Sequence, residues 1–375
     1  MTALFWGALG AIAYTYFGYP LILLVCSWFR KRTVRKDHRY TPPVTLIITV
    51  HNEAARIEKK ILNTLDLDYP SELFEIIFSS DASIDGTDEA VLLHAGPKLR
   101  LVRSPRRGGK EYAQKCALEQ AAGEIIVFSD VATMLERQAI RRIVSSFADP
   151  SVGCVSSEDR FIDEKGNVSG EGAYVRYEMW LRSLESKVHS LVGLSGSFFA
   201  ARRNLCQDWP TDIPSDFNTL LNAVRNGYRG ITDPESIGMY QNIRDEGKEF
   251  QRKVRTITRG ISALLSDISL MNPLRYGIFS WQLISHKLLR WLVPLFMAIA
   301  FIANMVLGFS KRVYLMVFIC HVLFYVMPSL SYTMGLRSSL IKIPYFFVLV
   351  NRAIAVAWLN YIKGQRYVIW TPTER

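Results

Sequence analysis

The five cysteines of this 375-residue chain include no pair spaced as CxxC. Cys26 and Cys320 lie in hydrophobic stretches, and the other three are scattered through the more polar middle of the chain. Disulfide frameworks and zinc sites are built from cysteines at characteristic spacings. The distribution therefore argues against both, and the chain also has no internal repeat or low-complexity tract.

Acidic residues are scarce relative to basic ones, at 34 against 45, so the formal net charge is +11. Such an excess could indicate nucleic-acid binding. Much of it, however, flanks hydrophobic segments, at residues 30–39 and 252–259 and at Lys287 and Arg290. Attraction to anionic lipid headgroups explains that distribution better. We therefore expect a lipid bilayer, and no nucleic acid, as the partner of these residues.

Charge is almost absent from residues 3–29, which are long enough to cross a hydrocarbon core of about 30 Å. No small-residue cleavage site precedes the basic cluster Arg30-Lys31-Arg32. We therefore interpret residues 1–30 as a retained transmembrane anchor and not as a removed signal peptide. The basic cluster predicts that the following domain is cytoplasmic.

Two further regions indicate contact with a membrane. Residues 246–287 are amphipathic, and their apolar side chains, among them Leu264, Leu270 and Phe279, could lie along a membrane surface. Residues 288–363 contain three hydrophobic spans, at 288–309, 313–334 and 343–359. The chain is thus predicted to be a multi-pass protein of the cell's inner (plasma) membrane, with its carboxyl end outside if every span crosses.

Between these regions, residues 40–245 show the pattern of an α/β domain. The strand-like runs 44–50, 74–80 and 124–129 alternate with segments of helical spacing, which predicts βαβ units and a parallel sheet. Each run ends in a polar turn, and these turns should meet at the carboxyl edge of the sheet, where open α/β sheets bind nucleotides. The turns begin with His51-Asn52-Glu53, with Asp81 and with Asp130.

A basic loop, Arg106-Arg107-Gly108-Gly109-Lys110, comes between the second and third of these runs. Its glycines let the backbone approach a phosphate, and Lys110 supplies a mobile positive charge. A solvated basic turn explains the loop equally well when it is taken alone.

The acidic turns could serve a nucleoside diphosphate. Asp81 can accept a hydrogen bond from a nucleobase or ribose, and Asp130 can hold a divalent cation that bridges a diphosphate. Each aspartate alone is more often a turn or cap residue. Their joint placement at one sheet edge is what favours the functional interpretation.

Asp216 is the candidate catalytic residue. It lies beyond a small-residue loop containing Ser195, Gly196 and Ser197, which we predict to bind an acceptor. A carboxylate near an acceptor hydroxyl could remove its proton during attack on a sugar's anomeric carbon. Capping of the following helix is the structural alternative for Asp216.

In their order along the chain, these segments resemble the motifs of family 2 glycosyltransferases. The branch that best fits the flanking spans includes the cellulose, hyaluronan and poly-N-acetylglucosamine synthases. Each motif is weak alone, but nine in the right order are a strong signal. The resemblance covers residues 43 to about 260 and includes residues 43–53, 67–70, 80–87, 109–110, 128–130, 193–202, 215–217, 226–228 and 250–255.

This resemblance implies a GT-A (Rossmann-like) fold, an inverting mechanism and a nucleotide-sugar donor, usually a UDP sugar, with Mg²⁺ or Mn²⁺. Asp130 resembles the first aspartate of the DxD metal motif, and Asp216 the general base. Asp81 resembles the aspartate that binds base or ribose. The other residues assigned to the donor by resemblance are His51, Asn52, Glu53, Lys110, Arg252 and Arg255.

The sequence also departs from the family pattern at three positions. Ala132 replaces the second DxD carboxylate, so a metal ligand is missing. Ser215 replaces the glutamate before the general base of the processive synthases. Thr256 stands where their QxxRW motif has tryptophan. Transfer chemistry remains expected, whereas long-chain processivity is in doubt.

The predicted function is sugar transfer to a polysaccharide or lipid-linked acceptor at the cytoplasmic membrane face, by single addition or by polymerisation. The second hypothesis is a noncatalytic subunit that scaffolds a polysaccharide secretion complex, which Ala132 favours and the retained aspartates oppose. A transporter would need more spans and leaves the α/β domain unexplained. Homo-oligomers and secretion-complex partners are both compatible with the sequence.

Overall fold

The computed structural model describes residues 1–162, 173–241, 246–333, 339–367 and 369. Its eight strands are β1 Val44–Val50, β2 Phe74–Ser80, β3 Leu99–Arg103, β4 Ile125–Asp130, β5 Met134–Leu135, β6 Val152–Ile162, β7 Phe198–Arg202 and β8 Arg229–Gln241. The helices are α1 Thr2–Phe29, α2 Ala54–Leu65, α3 Thr87–Leu93, α4 Lys110–Leu118, α5 Ala139–Ser145, α6 Ala173–Val188, α7 Ser215–Arg225, α8 Glu246–Ser266, α9 Pro273–Tyr276, α10 Ile278–Gly308, α11 Arg312–Thr333 and α12 Ser339–Ile362.

The strands form one mixed sheet in the order β3-β2-β1-β4-β7-β6-β8-β5. β1 pairs in parallel with β2 and with β4, in register from Val44 with Phe74 and Ile125. β7 runs antiparallel to both of its neighbours, β4 and β6. The predicted parallel βαβ arrangement is therefore confirmed for the first four strands in chain order, and it brings the ends of β1, β2 and β4 to one edge.

The sheet is covered on both faces, which explains why β1 is an almost unbroken apolar run. All seven of its residues are buried, as expected for a parallel strand between two layers. Successive side chains of a strand point to opposite faces. Leu46 and Ile48 accordingly pack in one hydrophobic cluster, with Ile57 and Ile61 of α2. Ile47 packs in the cluster on the other face.

Three described helices are long and apolar enough to cross a membrane: Thr2–Phe29, Ile278–Gly308 and Pro344–Ile362. The apolar helix Arg312–Val326 is shorter. The span expected at 313–334 reaches Met334, which lies outside the described residues. The division of the chain into anchor, α/β domain, amphipathic region and three closing spans stays a prediction.

The amphipathic region is packed against protein in the structure. Leu264, Leu270 and Phe279, expected at a membrane surface, are almost fully buried. They belong to a cluster that includes Phe217 of α7 and Ala353 of α12. The apolar face of α8 is thus covered by neighbouring helices, a tertiary arrangement that helical periodicity cannot distinguish from lipid contact.

Candidate active site

A cleft of about 380 Å³ opens at the carboxyl end of β4. Its walls come from the start of α4, the loop before β7, the start of α7, the middle of α8 and the start of α10. Nine of the residues that the sequence predicted for a site line this cleft. They are Glu53, Lys110, Asp130, Ser195, Gly196, Ser197, Asp216, Arg252 and Arg255.

Lys110 and Asp130 form an ion pair on one wall of the cleft. The Lys110 Nζ lies 2.5 Å from Asp130 Oδ1 and also donates to the Gly196 carbonyl oxygen at 3.0 Å. Burial lowers the pKa of Lys110, but the charge and hydrogen bond of Asp130, together with the charges of Glu111 and Asp216, outweigh burial, so the pKa is raised. Lys110 is therefore a fixed cation that joins the end of β4 to the small-residue loop.

Asp81 is fully buried and does not line the cleft. Its carboxylate accepts hydrogen bonds from the backbone N–H groups of Gly108, at 2.7 Å, and Gly109, at 2.9 Å. Gly109 has φ +92°, a conformation that favours glycine. Asp81 thereby fixes the loop that delivers Lys110 to the cleft. Its predicted contact with a base or ribose stays a prediction.

The turn after β1 is tied to the turn after β2. His51 Nδ1 lies 2.7 Å from the Asp81 carbonyl oxygen, and Asn52 Oδ1 accepts from the Ile84 N–H at 2.9 Å. Glu53 alone of this turn lines the cleft, where its Oε2 lies 2.7 Å from Arg56 Nη2. Burial raises the pKa of Glu53, with Arg56 opposing and Asp130 reinforcing the shift.

The predicted acceptor serines face a carboxylate that the sequence analysis did not select. Ser195 Oγ donates to Asp159 at 2.7 Å, and Ser197 Oγ also lies 2.7 Å from Asp159 Oδ1. Asp159 belongs to β6 and lines the same cleft. Both hydroxyls are thus oriented by one carboxylate, and their binding to an acceptor stays a prediction.

Asp216 lies in the first turn of α7, not at its cap. The helix begins at Ser215 with Pro214 as the N-cap residue, which makes no side-chain capping hydrogen bond. Asp216 therefore does not occupy the N-cap position, although its carboxylate accepts a hydrogen bond from the Phe217 backbone N–H in the first turn. Burial raises the pKa of Asp216, and the nearby cations Lys110 and Arg259 oppose this shift. A Cβ placed on Gly196 would lie 3.2 Å from Asp216 Oδ2, so a side chain at this position would crowd that oxygen.

The two arginines predicted from α8 differ in their partners. Arg252 makes a two-pronged ion pair with Glu249, at 2.7 and 2.8 Å. Arg255 has no carboxylate within ion-pair distance in the described part of the chain. An arginine fork matches phosphate geometry. Arg255 is consequently the more available of the two for an anionic ligand.

Further cleft residues escaped the sequence analysis. Asp159 follows the strand-like run 152–156 and could have been found by the signal that selected Asp130. Glu111, beside Lys110, pairs with Arg259 at 2.7 Å. Lys287 and Trp291 come from α10, which carries no motif. Only tertiary packing brings that helix to the cleft.

Residues 45–209 match the family model for glycosyl transferase family 2. The chain is 29% identical over 171 residues to a beta-monoglucosyldiacylglycerol synthase from Synechocystis sp., a match covering 44% of this chain and 36% of the relative. It is 26% identical over 223 residues to an N-acetylglucosaminyltransferase from Rhizobium meliloti, covering 54% and 51%. The chain thus spans about a third to a half of the length of these curated relatives.

A solved structure extends the fold comparison to almost the whole chain. The mannosyltransferase PcManGT from Pyrobaculum calidifontis, in complex with GDP-Man and Mn²⁺, superposes with a TM-score of 0.75. It is 24% identical in sequence, and the match covers 96% of this chain and 99% of that one. The α/β domain therefore has the GT-A fold, and its residues 45–209 match the family 2 glycosyltransferases. Asp216, Arg252 and Arg255 lie beyond the segment that matches the family model.

Proposed function

We propose that this chain is an inverting glycosyltransferase that moves a sugar from a nucleoside diphosphate sugar to a polysaccharide or lipid-linked acceptor. A UDP sugar is the donor that the resemblance to the family implies. The observation that carries the proposal is the shared cleft of Asp130, Lys110 and Asp216. A fixed cation, an acidic strand end and a carboxylate with a raised pKa are the parts that transfer from a diphosphate requires.

Donor binding is assigned to the Lys110 side of the cleft. Lys110 and Arg255 would hold the diphosphate and offset the negative charge that grows on it as the sugar leaves. A divalent cation fits Asp130, since magnesium is commonly bound by one or two carboxylates together with substrate phosphates. When bound, it would supply further charge neutralisation at the diphosphate.

Few protein groups are placed to hold that cation. Among the described residues, no group of three His, Cys, Asp or Glu side chains is arranged as a metal site. Ala132 lines the cleft where the second motif carboxylate is absent, and Glu53 lines it nearby. The cation would therefore depend on donor phosphates for most of its ligands.

Asp216 acts as general base in the proposed reaction. The acceptor hydroxyl oxygen bonds to the anomeric carbon while the bond from that carbon to the diphosphate oxygen breaks. The electron pair leaves with the diphosphate, and the hydroxyl proton passes to Asp216. Attack from the face opposite the leaving group inverts the anomeric centre. The raised pKa makes Asp216 a stronger base than an ordinary carboxylate.

Placement in the membrane completes the proposal. The described helices Thr2–Phe29 and Ile278–Gly308 pack along each other, and α10 also supplies cleft residues at its start. With the basic cluster at Arg30-Lys31-Arg32 on the cytoplasmic side, the cleft would face the cytoplasm close to the bilayer. The named relative from Synechocystis sp. is a glycolipid synthase, which supports a lipid-linked acceptor.

The test uses the detergent-purified full chain and a panel of nucleotide sugars, with products analysed by mass spectrometry. Asp216→Asn should lower transfer by at least about a hundredfold, the contribution typical of a general base, and leave nucleotide binding nearly unchanged. Asp130→Asn should weaken metal-dependent donor binding. Undiminished transfer by Asp216→Asn would remove its role as base. No donor turnover by the wild-type chain would favour the noncatalytic scaffold.

A further inference from the structure

Lys287 is a cleft residue to which the proposed reaction gives no role. It lies at the start of α10 and lines the same cleft as Asp216. Its Nζ is 5.9 Å from the centroid of the Phe217 ring. A Cβ placed on Gly193 would lie 3.1 Å from that Nζ, so glycine leaves the room that the ammonium group uses. Lys287 is thus held against the cleft wall and not on the outer surface of α10.

The acids around Lys287 already have other partners. Glu178 accepts from Arg290 and lies 3.4 Å from His286 Nε2. Glu185 accepts from Tyr19 at 2.6 Å and lies 2.5 Å from His286 Nδ1.

Within the described part of the chain, Lys287 itself has no carboxylate within ion-pair distance. Its recorded partner is the face of the Phe217 ring. A partly buried ammonium group without a counter-charge is costly to the folded state. An anionic ligand in the cleft would remove that cost.

The position of Lys287 distinguishes it from the donor site. Lys110 bonds to Asp130 and to the Gly196 carbonyl oxygen. Lys287 contacts Phe217, the residue that follows Asp216, and lies beside Gly193, two residues before the predicted acceptor residue Ser195. A general base stands between donor and acceptor, because it must reach the acceptor hydroxyl. Lys287, beside the predicted acceptor loop, is therefore assigned to the acceptor side, and it lies in the N-terminal third of a helix long enough to cross a membrane.

We propose that Lys287 binds the phosphate of a membrane-embedded acceptor, so that the acceptor is a sugar carried on a lipid phosphate or diphosphate and not a neutral lipid. The phosphate would lie at the membrane boundary, where Lys287 enters the cleft, and the sugar hydroxyl would extend to Asp216. This inference rests on the proposed transferase function and specifies its acceptor. A phosphate is a strong charge-assisted partner for an ammonium group.

The experiment measures ligand binding to the detergent-purified full chain by calorimetry, with UDP and Mn²⁺ present at saturation to occupy the donor side. The probes are farnesyl phosphate, farnesol and inorganic phosphate. We expect the wild-type chain to bind farnesyl phosphate at least about tenfold more tightly than the other two, as one charge-assisted contact allows. Lys287→Gln should abolish this preference, and Lys287→Arg should retain most of it.

Lys311→Gln is the matched control, because Lys311 is an exposed lysine just beyond the other end of α10. It should bind all three probes as the wild type does. Equal affinity of the wild-type chain for farnesyl phosphate and farnesol would overturn the inference. It would also be overturned if Lys287→Gln lost affinity for both probes by the same factor. Inorganic phosphate binding as tightly as farnesyl phosphate would assign the site to a free phosphate. UDP binding is measured first, in the absence of the three probes. It tests the donor site alone, so failure of the donor site can be distinguished from failure of the Lys287 site.

Discussion

At the scale of single residues, the charges around Asp216 determine the pH range in which it can act as a base. Asp216 must be deprotonated to accept a proton, so activity should fall as the pH drops through its pKa. Glu111 raises that pKa, and Arg259 lowers it. Glu111 and Arg259 are 2.7 Å apart, which makes them a natural pair for opposite perturbations.

We predict that Glu111→Gln moves the acidic limb of the kcat/KM profile to lower pH. The substitution removes a negative charge near Asp216 while the amide oxygen can still accept from Arg259. Arg259→Gln should move the same limb to higher pH, since it removes a nearby positive charge. The measurement is the pH profile of transfer with the donor found in the panel. Shifts in the same direction for both variants would contradict the assignment of this limb to Asp216.

Residues at strand ends were the ones that the sequence could reveal. Asp130 and Lys110 follow recognisable turn signals, and parallel pairing brings those turns together without further information. Lys287 and Trp291 have no such signal, because their place in the cleft depends on how α10 packs against α8. Asp81 shows a second limit of sequence-based prediction. Its position at the end of β2 was expected, but the hydrogen bonds that its carboxylate accepts from the Gly108 and Gly109 N–H groups depend on loop geometry.

At the scale of secondary-structure elements, the residue pattern predicted the parallel strands β1, β2 and β4 correctly. It did not predict that the apolar face of α8 packs against other helices. A short, continuous apolar run between two turns is typical of a parallel strand whose two faces are both covered by helices. An amphipathic helix has one apolar face, and that face can meet lipid or protein with the same residue spacing. The contact between α8 and α10 is therefore a property of the folded molecule, and Gly260 of α8 lies against Trp291 of α10.

We predict that Gly260→Ala destabilises the protein. A Cβ at this position would lie 2.9 Å from two ring carbons of Trp291, which belongs to a buried hydrophobic cluster. Alanine gains about 1 kcal/mol of helix propensity over glycine. Overpacking costs roughly 1–3 kcal/mol, so the clash should cancel or exceed the gain. Thermal unfolding in detergent measures the balance.

Gly7→Ala is the control for helix propensity, since nothing lies within 4 Å of a Cβ at Gly7 of α1. It should leave the unfolding temperature unchanged or raise it. An equal rise for Gly260→Ala would mean that Trp291 can move aside freely, and the close contact between α8 and α10 would then contribute no specificity to the cleft.

At the scale of the whole molecule, a buried polar network joins α1 and α10 to α6 of the α/β domain. Tyr19 of α1 donates to Glu185 of α6, and His286 of α10 contacts the same carboxylate oxygen. One helical turn away, Tyr14 lies 2.8 Å from Ser285. Tyr14 and Ser285 each belong to a π-helical turn, a local widening that is often found at functional positions.

This network explains how helices distant in sequence hold the Lys287 side of the cleft in place. Lys287 follows His286 directly, so the contacts that fix His286 to Glu185 also position the start of α10. Sequence analysis could not anticipate this, because Tyr19 and Glu185 are separated by 166 residues. Apolar composition predicted that the helices lie in a membrane, but it contains no information on which polar groups pair between them.

We predict that Tyr19→Phe lowers the free energy of unfolding by about 1.5–3 kcal/mol, the usual contribution of a hydrogen bond to a charged group. The ring remains to pack against Trp281, so the loss isolates the hydroxyl. Ser27→Ala is the control, because the one partner of the Ser27 hydroxyl among the described residues is the Leu24 carbonyl of its own helix. Thermal unfolding and limited proteolysis at the basic segment after α1 measure the effect.

If α1 is joined to the domain through Glu185, Tyr19→Phe should expose that segment to trypsin sooner than Ser27→Ala does. Equal cleavage rates would mean that packing alone holds α1 against the domain.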